Sequence, residues 1–431
     1  MTPNDLIDLL QLLDEQQATL STLDAYYYGR QPLAFLSPEA QEALGDRFTR
    51  MASNLPRLAV TSLAERLRVT GFRRDGAPDA GLWGAWMGND MDQLSAVAHR
   101  EALAVGTSYV IVWADKSGAP RITVESARQV ITVTDPGTGA TTAAVKRWET
   151  DTTTEAVVYG ADEIVRWRAN STGAMGGFTV VDRIENPLGE PPVVALVNAD
   201  RLLGPGVSEM SDLIPLVDGL NKTLSDMLVG SEYYARPRRW ATGIELTVDD
   251  DGDEENPFPE SHRMMISEAP ESKFGSLPAA DLAAYSAAVD VLLGQVMAVS
   301  ALPAHYVGIT TQNPASADAI RSAEASLTAR AAARQATFGR AWEHVARLVA
   351  AVDSGADAAS VDVSVTWADP STRSVAQEAD AVVKLHAAGI LPTSYALSKL
   401  GYTDAEIDTI RTARRTDALD GAGVDLTAVL P

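Results

Sequence analysis

Residues 206–232 read GVSEMSDLIPLVDGLNKTLSDMLVGSE, and the predicted fold depends on the pattern in this stretch. Its apolar residues recur at steps of three and four, which is the period of one face of an α-helix. Those residues are Val207, Met210, Leu213, Val217, Leu220, Leu224 and Met227. A helix over all 27 residues spans about 40 Å, and Pro215 predicts a kink inside it. The stretch therefore predicts a long helix with one apolar face to bury.

A second helix of the same kind follows about fifty residues later and ends before Pro303. Its apolar face holds Leu282, Tyr285, Val289, Leu292, Val296 and Val299. Between the two helices, strands are predicted at Arg239–Leu246 and His262–Ile266 around an acidic run. We expect the two helices to lie antiparallel, with this small inserted module at their far end.

The segment before the first long helix, residues 1–205, mixes helical and strand patterns. Helices are predicted over residues 4–29, 53–68 and 91–105. Strands are predicted over residues 108–113, 122–124, 129–134, 143–148, 156–159, 178–184 and 193–197. The fold class expected from this mixture is α+β.

After Pro303 comes an uncharged loop, and Ser316 then has the character of a helix N-cap. The helix that follows can run through residue 352, which is 37 residues and about 55 Å. Residues 361–367 alternate as a half-buried strand does, and we expect this strand to join the N-terminal sheet. Residues 372–417 predict short helices that are interrupted at Gly389, Pro392 and Gly401.

The chain of 431 residues carries 58 acidic and 35 basic side chains, so its formal net charge is −23 and its pI is about 4.6. A protein that binds DNA tightly usually presents a basic face, and this balance disfavours one. It is compatible with a protein that touches DNA without gripping it. The absence of cysteine excludes disulfides and thiolate metal sites.

No basic, apolar leader opens the sequence, so we expect no secretory signal. One stretch without formal charge, Val291–Thr311, resembles a membrane span in hydropathy. Because it contains Gln295, Pro303 and His305, we interpret it as a buried helix followed by a loop and expect no membrane partner.

A search for catalytic chemistry yields weak signals. The acidic run 249–255 places carboxylates as a calcium loop does, and Glu260 matches the last ligand position, but Glu254 stands where the turn needs glycine. A solvated acidic loop is the preferred interpretation, with weak cation binding as the alternative. The sequence has no phosphate-binding glycine loop, its five histidines are scattered, and Asp90 and Asp92 form a short acidic pair of a common surface type. We therefore predict a protein that is not an enzyme and holds no cofactor or metal.

Several strings recur along the chain in a characteristic order. They are YYYG at 26–29 with Pro32 and Leu33, residues 54–72 with ERLRVTGF at their end, GVSE at 206–209, YYARPRRWA at 233–241, LPAHYVG at 302–308, and NPASADAI at 313–320 with Glu324. Together, in this order, they resemble the portal proteins of tailed bacteriophages with long non-contractile tails. The resemblance covers roughly residues 20–420.

The resemblance implies an architecture whose parts can be placed along the chain. These are an α+β wing (1–205), a first stem helix (206–235), an inserted clip (236–278), a second stem helix (279–301), a tunnel loop (302–315), a long wing helix (316–355), a returning wing strand (356–370) and a helical crown (371–431).

It also implies a function: a portal ring, expected to hold twelve subunits, that forms a DNA channel at one capsid vertex of the virion. Double-stranded DNA would pass without sequence-specific contact during genome packaging and ejection. The expected protein partners are the terminase, the head–tail adaptor and the major capsid protein. The subunit would be made in the host cytoplasm.

The resemblance places three groups of functional residues. The tunnel-loop residues that would line the channel are His305, Thr310, Thr311, Gln312 and Asn313. The clip residues that would form the docking surface are Glu245, Asp249, Asp250, Asp251, Asp253, Glu254, Glu255 and Glu260. The arginines of the long helix, among them Arg321, Arg330 and Arg334, would pair with carboxylates of a neighbouring subunit or face DNA.

Two rival interpretations remain at this point. One is a metal-dependent enzyme that uses the acidic run 249–255 together with Asp90 and Asp92. The other is a minor structural or scaffold protein that assembles without a pore.

Overall fold

The computed structural model describes residues 2–34, 52–199, 201–202, 204–235, 239–243, 247–248, 254–255, 270–276, 283–309, 316–371, 375–402 and 404–421. The chain divides into two compact units. The first comprises residues 1–30, 54–214 and 297–431, and the second comprises residues 31–53 and 215–296. Helices and antiparallel strands occur side by side, so the α+β class is confirmed.

The described residues form eleven helices. They are α1 (Pro3–Glu15), α2 (Gln17–Tyr27), α3 (Leu55–Ala64), α4 (Ala80–Gly88), α5 (Met91–Val105), α6 (Ile214–Ala235), α7 (Ala283–Ser300), α8 (Ala317–Ser354), α9 (Val375–Ala387), α10 (Thr393–Lys399) and α11 (Asp404–Gly421). The predicted helix over residues 91–105 has the bounds of α5, whereas the predicted helix over residues 4–29 is two helices that meet at Gln16.

Fifteen strands lie in the described ranges. They are β1 (Val69–Arg74), β2 (Ala77–Pro78), β3 (Thr107–Ala114), β4 (Pro120–Ser126), β5 (Val130–Thr134), β6 (Thr141–Glu149), β7 (Thr154–Gly160), β8 (Glu163–Ala169), β9 (Thr179–Glu185), β10 (Val193–Val197), β11 (Arg239–Thr242), β12 (Thr247–Val248), β13 (Glu254–Glu255), β14 (Lys273–Ser276) and β15 (Val363–Trp367).

The strands of the first unit form three antiparallel sheets. Their orders are β15-β1-β2, β10-β3-β4 and β5-β6-β7-β8-β9. The pairing of β15 with β1 confirms that the strand predicted near residue 365 returns to the N-terminal part. Strands β1 and β8 and helix α4 were missed, since Gly71 interrupts the strand pattern of β1 and the glycines of α4 suggest a loop.

The core of the first unit is built around α8. Phe338 and Trp342 are fully buried on it and pack with Trp86 of α4 and with His99 of α5. Gly339 lies where α8 packs closely against β15. A Cβ at this position would lie 3.3 Å from the Val365 side chain, so the close approach favours glycine. Ser316 caps the start of α8 by accepting a hydrogen bond from the Ala319 amide (3.2 Å), as predicted.

A second, smaller core lies on the five-stranded sheet. Leu6, Leu9 and Leu10 of α1 pack there against Val158 and Trp167. The buried leucines of α1 therefore cover one face of this sheet.

The kink predicted at Pro215 is wrong. Helix α6 begins at Ile214, so Pro215 lies in its first turn, where the amide that proline lacks would have no partner within the helix. Residues 207–213 precede the helix as extended chain and turns, and Met210 and Leu213 are buried there. The helical spacing of apolar residues therefore extends to the N-terminal side of the true start of the helix.

In the second unit, α6 and α7 flank the inserted module. Leu292 of α7 lies beside Gly219 of α6, at 3.7 Å from a Cβ placed on that glycine. Strand β11, which follows α6, pairs antiparallel with β14, which precedes α7. The predicted strand at 262–266 lies outside the described residues, and β14 was not predicted.

Helix α7 corrects the expectation of a buried helix in residues 291–300. Most of its residues are at least partly exposed, and Val291 is 65% exposed. By length and composition, α7 is the helix in the described part of the chain that passes the test for a membrane span. The sequence pattern correctly indicated an apolar face on α7, but a single copy of the chain leaves much of that face exposed.

One histidine is enclosed in the core beside α8. His99 is fully buried, accepts a hydrogen bond from the Trp342 indole (2.8 Å), and stacks on Phe338. Burial lowers the pKa of His99 to about 3. The folded chain therefore holds a neutral imidazole at neutral pH.

We expect this histidine to make the first unit sensitive to acid. Between pH 6.5 and about 3 the unfolded chain binds a proton at His99 that the folded chain does not, so stability falls as pH falls, by at most about 1.4 kcal/mol per pH unit from this site. The His99→Gln variant keeps an acceptor for Trp342 and does not titrate. Urea unfolding at pH 7 and pH 4.5 should show a smaller loss for the variant than for the wild type. The matched control is His344→Gln at a partly exposed histidine; equal losses in all three proteins would contradict the expectation.

Candidate functional site

The predicted site residues are divided between described and undescribed parts of the chain. His305 lies in a 3₁₀ turn, Ala304–Val307, within the first part of the predicted tunnel loop. Glu254 and Glu255 form β13, which pairs with β12. Outside the described residues lie Thr310, Thr311, Gln312, Asn313, Glu245, Asp249, Asp250, Asp251, Asp253 and Glu260.

A buried ion pair lies at the base of the predicted tunnel loop. Arg66, just after α3, donates to Glu324 of α8 at 3.1 Å, and the two side chains are 9% and 5% exposed. The same guanidinium donates to the Tyr306 hydroxyl (3.2 Å) and to the Pro370 carbonyl (2.7 Å). We name Arg66, His305, Tyr306 and Glu324 the Glu324 cluster. It joins the end of α3, the segment at residues 305–306 and the first turns of α8.

The electrostatics of this cluster favour a charged arginine. Burial acts to lower the pKa of Arg66, but hydrogen bonds to Tyr306 and Glu324 outweigh it and raise the pKa above its usual value. His305, which is more exposed, places its Nε2 atom 3.4 Å from the other oxygen of Glu324. One carboxylate of α8 therefore contacts both residues 305 and 66, which fixes the start of the predicted tunnel loop against the helix.

A second carboxylate organises the next turns of α8. Glu209 receives Arg330 at 3.3 Å and Arg334 at 2.8 Å, and Asn198 donates to it at 3.1 Å. We name Glu209, Arg330 and Arg334 the Glu209 cluster. Arg330 and Arg334 thus have a carboxylate partner within their own chain, which differs from both partners that the sequence analysis considered.

Arg330 also satisfies the end of α7. It donates to the Val299 carbonyl (3.0 Å) and to the Ser300 carbonyl (3.2 Å), which are among the groups that a helix leaves without internal partners. The next residue, Ala301, has a positive φ of 59° that non-glycine residues rarely adopt. The segment from Ala301 to Gly308 therefore leaves α7 through a strained residue and is held to α8 by both clusters.

Close contact between two glycines explains the GVSE string. A Cβ on Gly106 would lie 2.5 Å from the Gly206 carbonyl oxygen, and a Cβ on Gly206 would clash with the Gly106 carbonyl. The tight approach lets Ser208 donate to the Ala104 carbonyl (2.5 Å) and the Glu209 amide donate to Leu103 (2.9 Å). This backbone pairing positions the Glu209 carboxylate.

Sequence reasoning named Glu324, Arg330 and Arg334 but missed both clusters. Arg66, Tyr306 and Glu209 all lie in strings that resemble the family. Those strings did not indicate that Arg66 contacts Tyr306 and Glu324, or that Glu209 contacts Arg334. Opposite charges more than a hundred residues apart carry no local pattern that pairs them.

The arrangement of these groups is structural in kind. The charged side chains of both clusters contact one another and backbone carbonyls, and the described residues include no group of three or more potential metal ligands. Asp90 and Asp92 are exposed at the start of α5, where carboxylates complement the helix dipole.

Comparison with known proteins adds sequence evidence. The family described as phage portal protein, SPP1 Gp6-like, matches residues 9–418. The chain is 31% identical to the portal protein of Mycobacterium phage D29 over 393 residues, which is 86% of this chain and 80% of that protein. It is 30% identical to the portal protein of Mycobacterium phage L5 over 394 residues, with the same coverage of both chains.

Solved structures give a more distant likeness. A chain from the virion of a native gene transfer agent particle is 12% identical, with a TM-score of 0.47 over 89% of this chain and 99% of that one. A chain from the neck of the native particle computed with C12 symmetry is 13% identical, with a TM-score of 0.45 over the same shares. At these values the likeness supports no conclusion.

The sequence matches define a structural protein of a tailed-phage virion. The chain belongs to the phage portal protein family of the SPP1 Gp6-like type. It is a capsid-vertex portal component and not an enzyme, which confirms the predicted class and overturns the metal-dependent alternative.

We expect the Arg66–Glu324 pair to matter more for stability than an exposed pair of the same helix. Glu324→Gln removes a buried charge and leaves Arg66 without its counter-ion, which typically costs about 3–5 kcal/mol. Arg340→Ala breaks a pair with Glu343 in which the arginine is 88% exposed, and it should change stability by less than about 1 kcal/mol. Urea unfolding of both variants measures the difference; similar small losses would contradict a structural role for the cluster.

Proposed function

We propose that copies of this chain form a ring-shaped channel at one capsid vertex, through which double-stranded DNA is packaged and ejected. The observation that carries the proposal is membership in the portal family over residues 9–418. In this ring, residues 1–205 form the wing, 206–235 and 279–301 the stem, 236–278 the clip, 302–315 the tunnel loop, 316–355 and 356–370 the long wing helix and returning strand, and 371–431 the crown.

The exposed surface of α7 supports assembly into a ring. Val291 is 65% exposed, while Val296 on the same helix is fully buried. Burying an exposed apolar surface is favourable at about 25 cal/mol per Å². Identical chains that pack head to tail around an axis bury such a surface in every copy, and a closed ring leaves none uncovered. Packing of α7 between copies also accounts for its membrane-like hydropathy.

The negative charge of the chain supports a channel through which DNA passes without being tightly bound. Each cationic contact to a phosphate adds salt-dependent affinity, and several such contacts would hold the duplex. This chain carries a formal charge of −23, and Arg66, Arg330 and Arg334 already contact carboxylates of the same chain. Of the five residues proposed to line the channel, Thr310, Thr311, Gln312 and Asn313 are uncharged, and the fifth, His305, lies 3.4 Å from the Glu324 carboxylate. They meet a polyanion without strong ionic attachment.

The clip supplies a docking surface for other components of packaging and the neck. Its run 249–255 holds six carboxylates, which are Asp249, Asp250, Asp251, Asp253, Glu254 and Glu255. A terminase or head–tail adaptor that docks there would present a basic surface, because complementary charge steers encounter. Contacts with the major capsid protein, and synthesis in the host cytoplasm before incorporation at the vertex, complete the proposal.

We expect a charge on α7 to prevent ring assembly. Val291→Asp would place a carboxylate in an apolar contact between copies, and negative-stain electron microscopy should show rings for the wild type and isolated subunits for the variant. Val97→Asp is the matched control, since Val97 is 43% exposed on α5 and should leave the rings intact. A wild-type protein that remains monomeric at all concentrations would contradict the ring.

The tunnel loop and the clip should be separable in a packaging assay. Replacing Gln312 and Asn313 with tryptophan should reduce the DNA packaged and retained, because bulky side chains narrow the channel, while binding of terminase and adaptor is unchanged. Deleting residues 249–255 should abolish docking in co-sedimentation, and packaging with it, while rings still form. Each variant is the control for the other. Unchanged packaging in the first, or unchanged docking in the second, would contradict the role of that segment.

A further inference from the structure

One leucine in the loop between β10 and α6 is fully exposed. Leu202 is 102% exposed, the highest value among the large apolar side chains of the described residues. A single exposed apolar residue is common on protein surfaces and needs no explanation by itself. Leu202 differs from that common case in the way its loop is fastened and in what the same chain presents elsewhere.

Both ends of this loop are fastened at one point. The Val207 amide donates to the Asn198 carbonyl (3.0 Å), and the Asn198 side chain donates to the Val207 carbonyl (2.6 Å). The Asn198 amide in turn donates to the Gly106 carbonyl (2.9 Å). Loops of about 6–16 residues whose ends meet in this way are compact and frequently functional. Leu202 therefore belongs to a loop whose base is fixed beside the start of β3.

The first unit also presents an apolar cavity of about 340 Å³. Its walls come from β3, β7, β8 and β9, and their apolar residues are Ile111, Trp113, Val157, Ile164 and Ile184. Pockets that hold small ligands begin at about 300 Å³, so this cavity has room for one aliphatic side chain.

The charges at the cavity compensate one another. Lys146 is bound to Glu125 at 2.6 Å, and Arg166 contacts Glu155 at 3.2 Å. The other charged residues of the lining are one arginine and one aspartate. A lining with apolar walls and balanced charges favours an uncharged, apolar occupant, because an ion would lose its hydration without gaining a counter-ion.

Leu202 and the cavity belong to opposite ends of β3. The base of the loop lies at Gly106, just before the strand begins at Thr107. Ile111 and Trp113 stand four and six residues along the strand, which is about 13–20 Å at about 3.3 Å per residue. In a ring of identical copies, one surface of each copy meets a different surface of the next. An apolar side chain at one end and an apolar cavity at the other meet that requirement.

We propose that Leu202 of one copy inserts into this cavity of the neighbouring copy. The inference rests on the ring proposed above and adds a contact within the first unit to the contact made by α7. Insertion removes an exposed leucine from water, which is favourable in proportion to the apolar area buried. Each copy supplies one leucine and one cavity, so a closed ring leaves neither uncovered.

Introduced cysteines test the contact directly, because the chain has none of its own. Under mild oxidation, a mixture of the Leu202→Cys and Ile184→Cys variants should form a disulfide-linked heterodimer. The variant with both changes should give a ladder of multimers on a denaturing gel. Leu202→Cys combined with Val97→Cys, at an exposed valine of α5, is the control and should give no ladder. A disulfide within one copy of the double variant overturns the proposal, since Leu202 would then reach its own cavity, and so does the absence of a ladder.

Assembly of variants tests whether the contact matters. Leu202→Asp, and Thr123→Trp, which fills the cavity, should each raise the protein concentration needed for rings by about tenfold or more. Mass photometry over a concentration series measures this shift. Leu202→Met keeps an apolar side chain and should assemble as the wild type does, and Val97→Asp should also leave assembly unchanged. Because Leu202 is fully exposed, Leu202→Asp should keep the urea midpoint of the wild type, which separates a lost contact from a lost fold.

The outcomes distinguish this contact from the ring itself. Rings of Leu202→Asp at wild-type concentrations would overturn the inserted leucine and leave the proposed ring standing. A wild-type chain that forms no rings at any concentration would contradict the ring, and the inserted leucine with it.

Discussion

Packing around α8 is the constraint on which the first unit depends. This helix of 38 residues is about 57 Å long, too long for a single small core to cover. It contributes Leu327, Phe338 and Trp342 to the main core, together with strands from both ends of the chain. Because β15 reaches β1 only after the chain has passed along α8, the helix fixes how distant segments meet.

The polar side chains of α8 serve position more than stability. Taking a carboxylate and a guanidinium out of water costs several kcal/mol for each ion, and the pair often returns little more than that cost. What Glu324 gains is geometry, since its two oxygens contact Arg66 and His305. Gln335 adds to this by donating to the Arg66 carbonyl (3.1 Å) and the Ala368 carbonyl (3.0 Å). Apolar packing could hold these segments together, but it would specify the position of residues 305 and 306 less sharply.

Local patterns predicted helices and strands well where the spacing of apolar residues agreed with a residue that marks the end of the element, such as an N-cap. Met91–Val105 and Val193–Val197 have the predicted bounds, and Ser316 caps α8. The helix containing Pro215 was extended too far because Met210 and Leu213 are buried in irregular chain that happens to keep the helical spacing. The Glu209 cluster was beyond reach, because Glu209 is more than a hundred residues from both of its arginines and is positioned by the close Gly106–Gly206 contact, which no local pattern reveals.

The distribution of charge follows from the same internal pairing. The 35 cationic residues are outnumbered by 58 carboxylates, and arginines such as Arg66, Arg330 and Arg334 are committed to carboxylates in the first unit. Ion pairs of this kind remove cations from the set that could bind phosphate while leaving the surplus of carboxylates unchanged. Counter-ion release drives most protein–DNA affinity, and these three arginines are not free to contribute to it. In the ring we propose, these three arginines would hold the protein together and would not hold the duplex, which is the condition that passage of DNA requires.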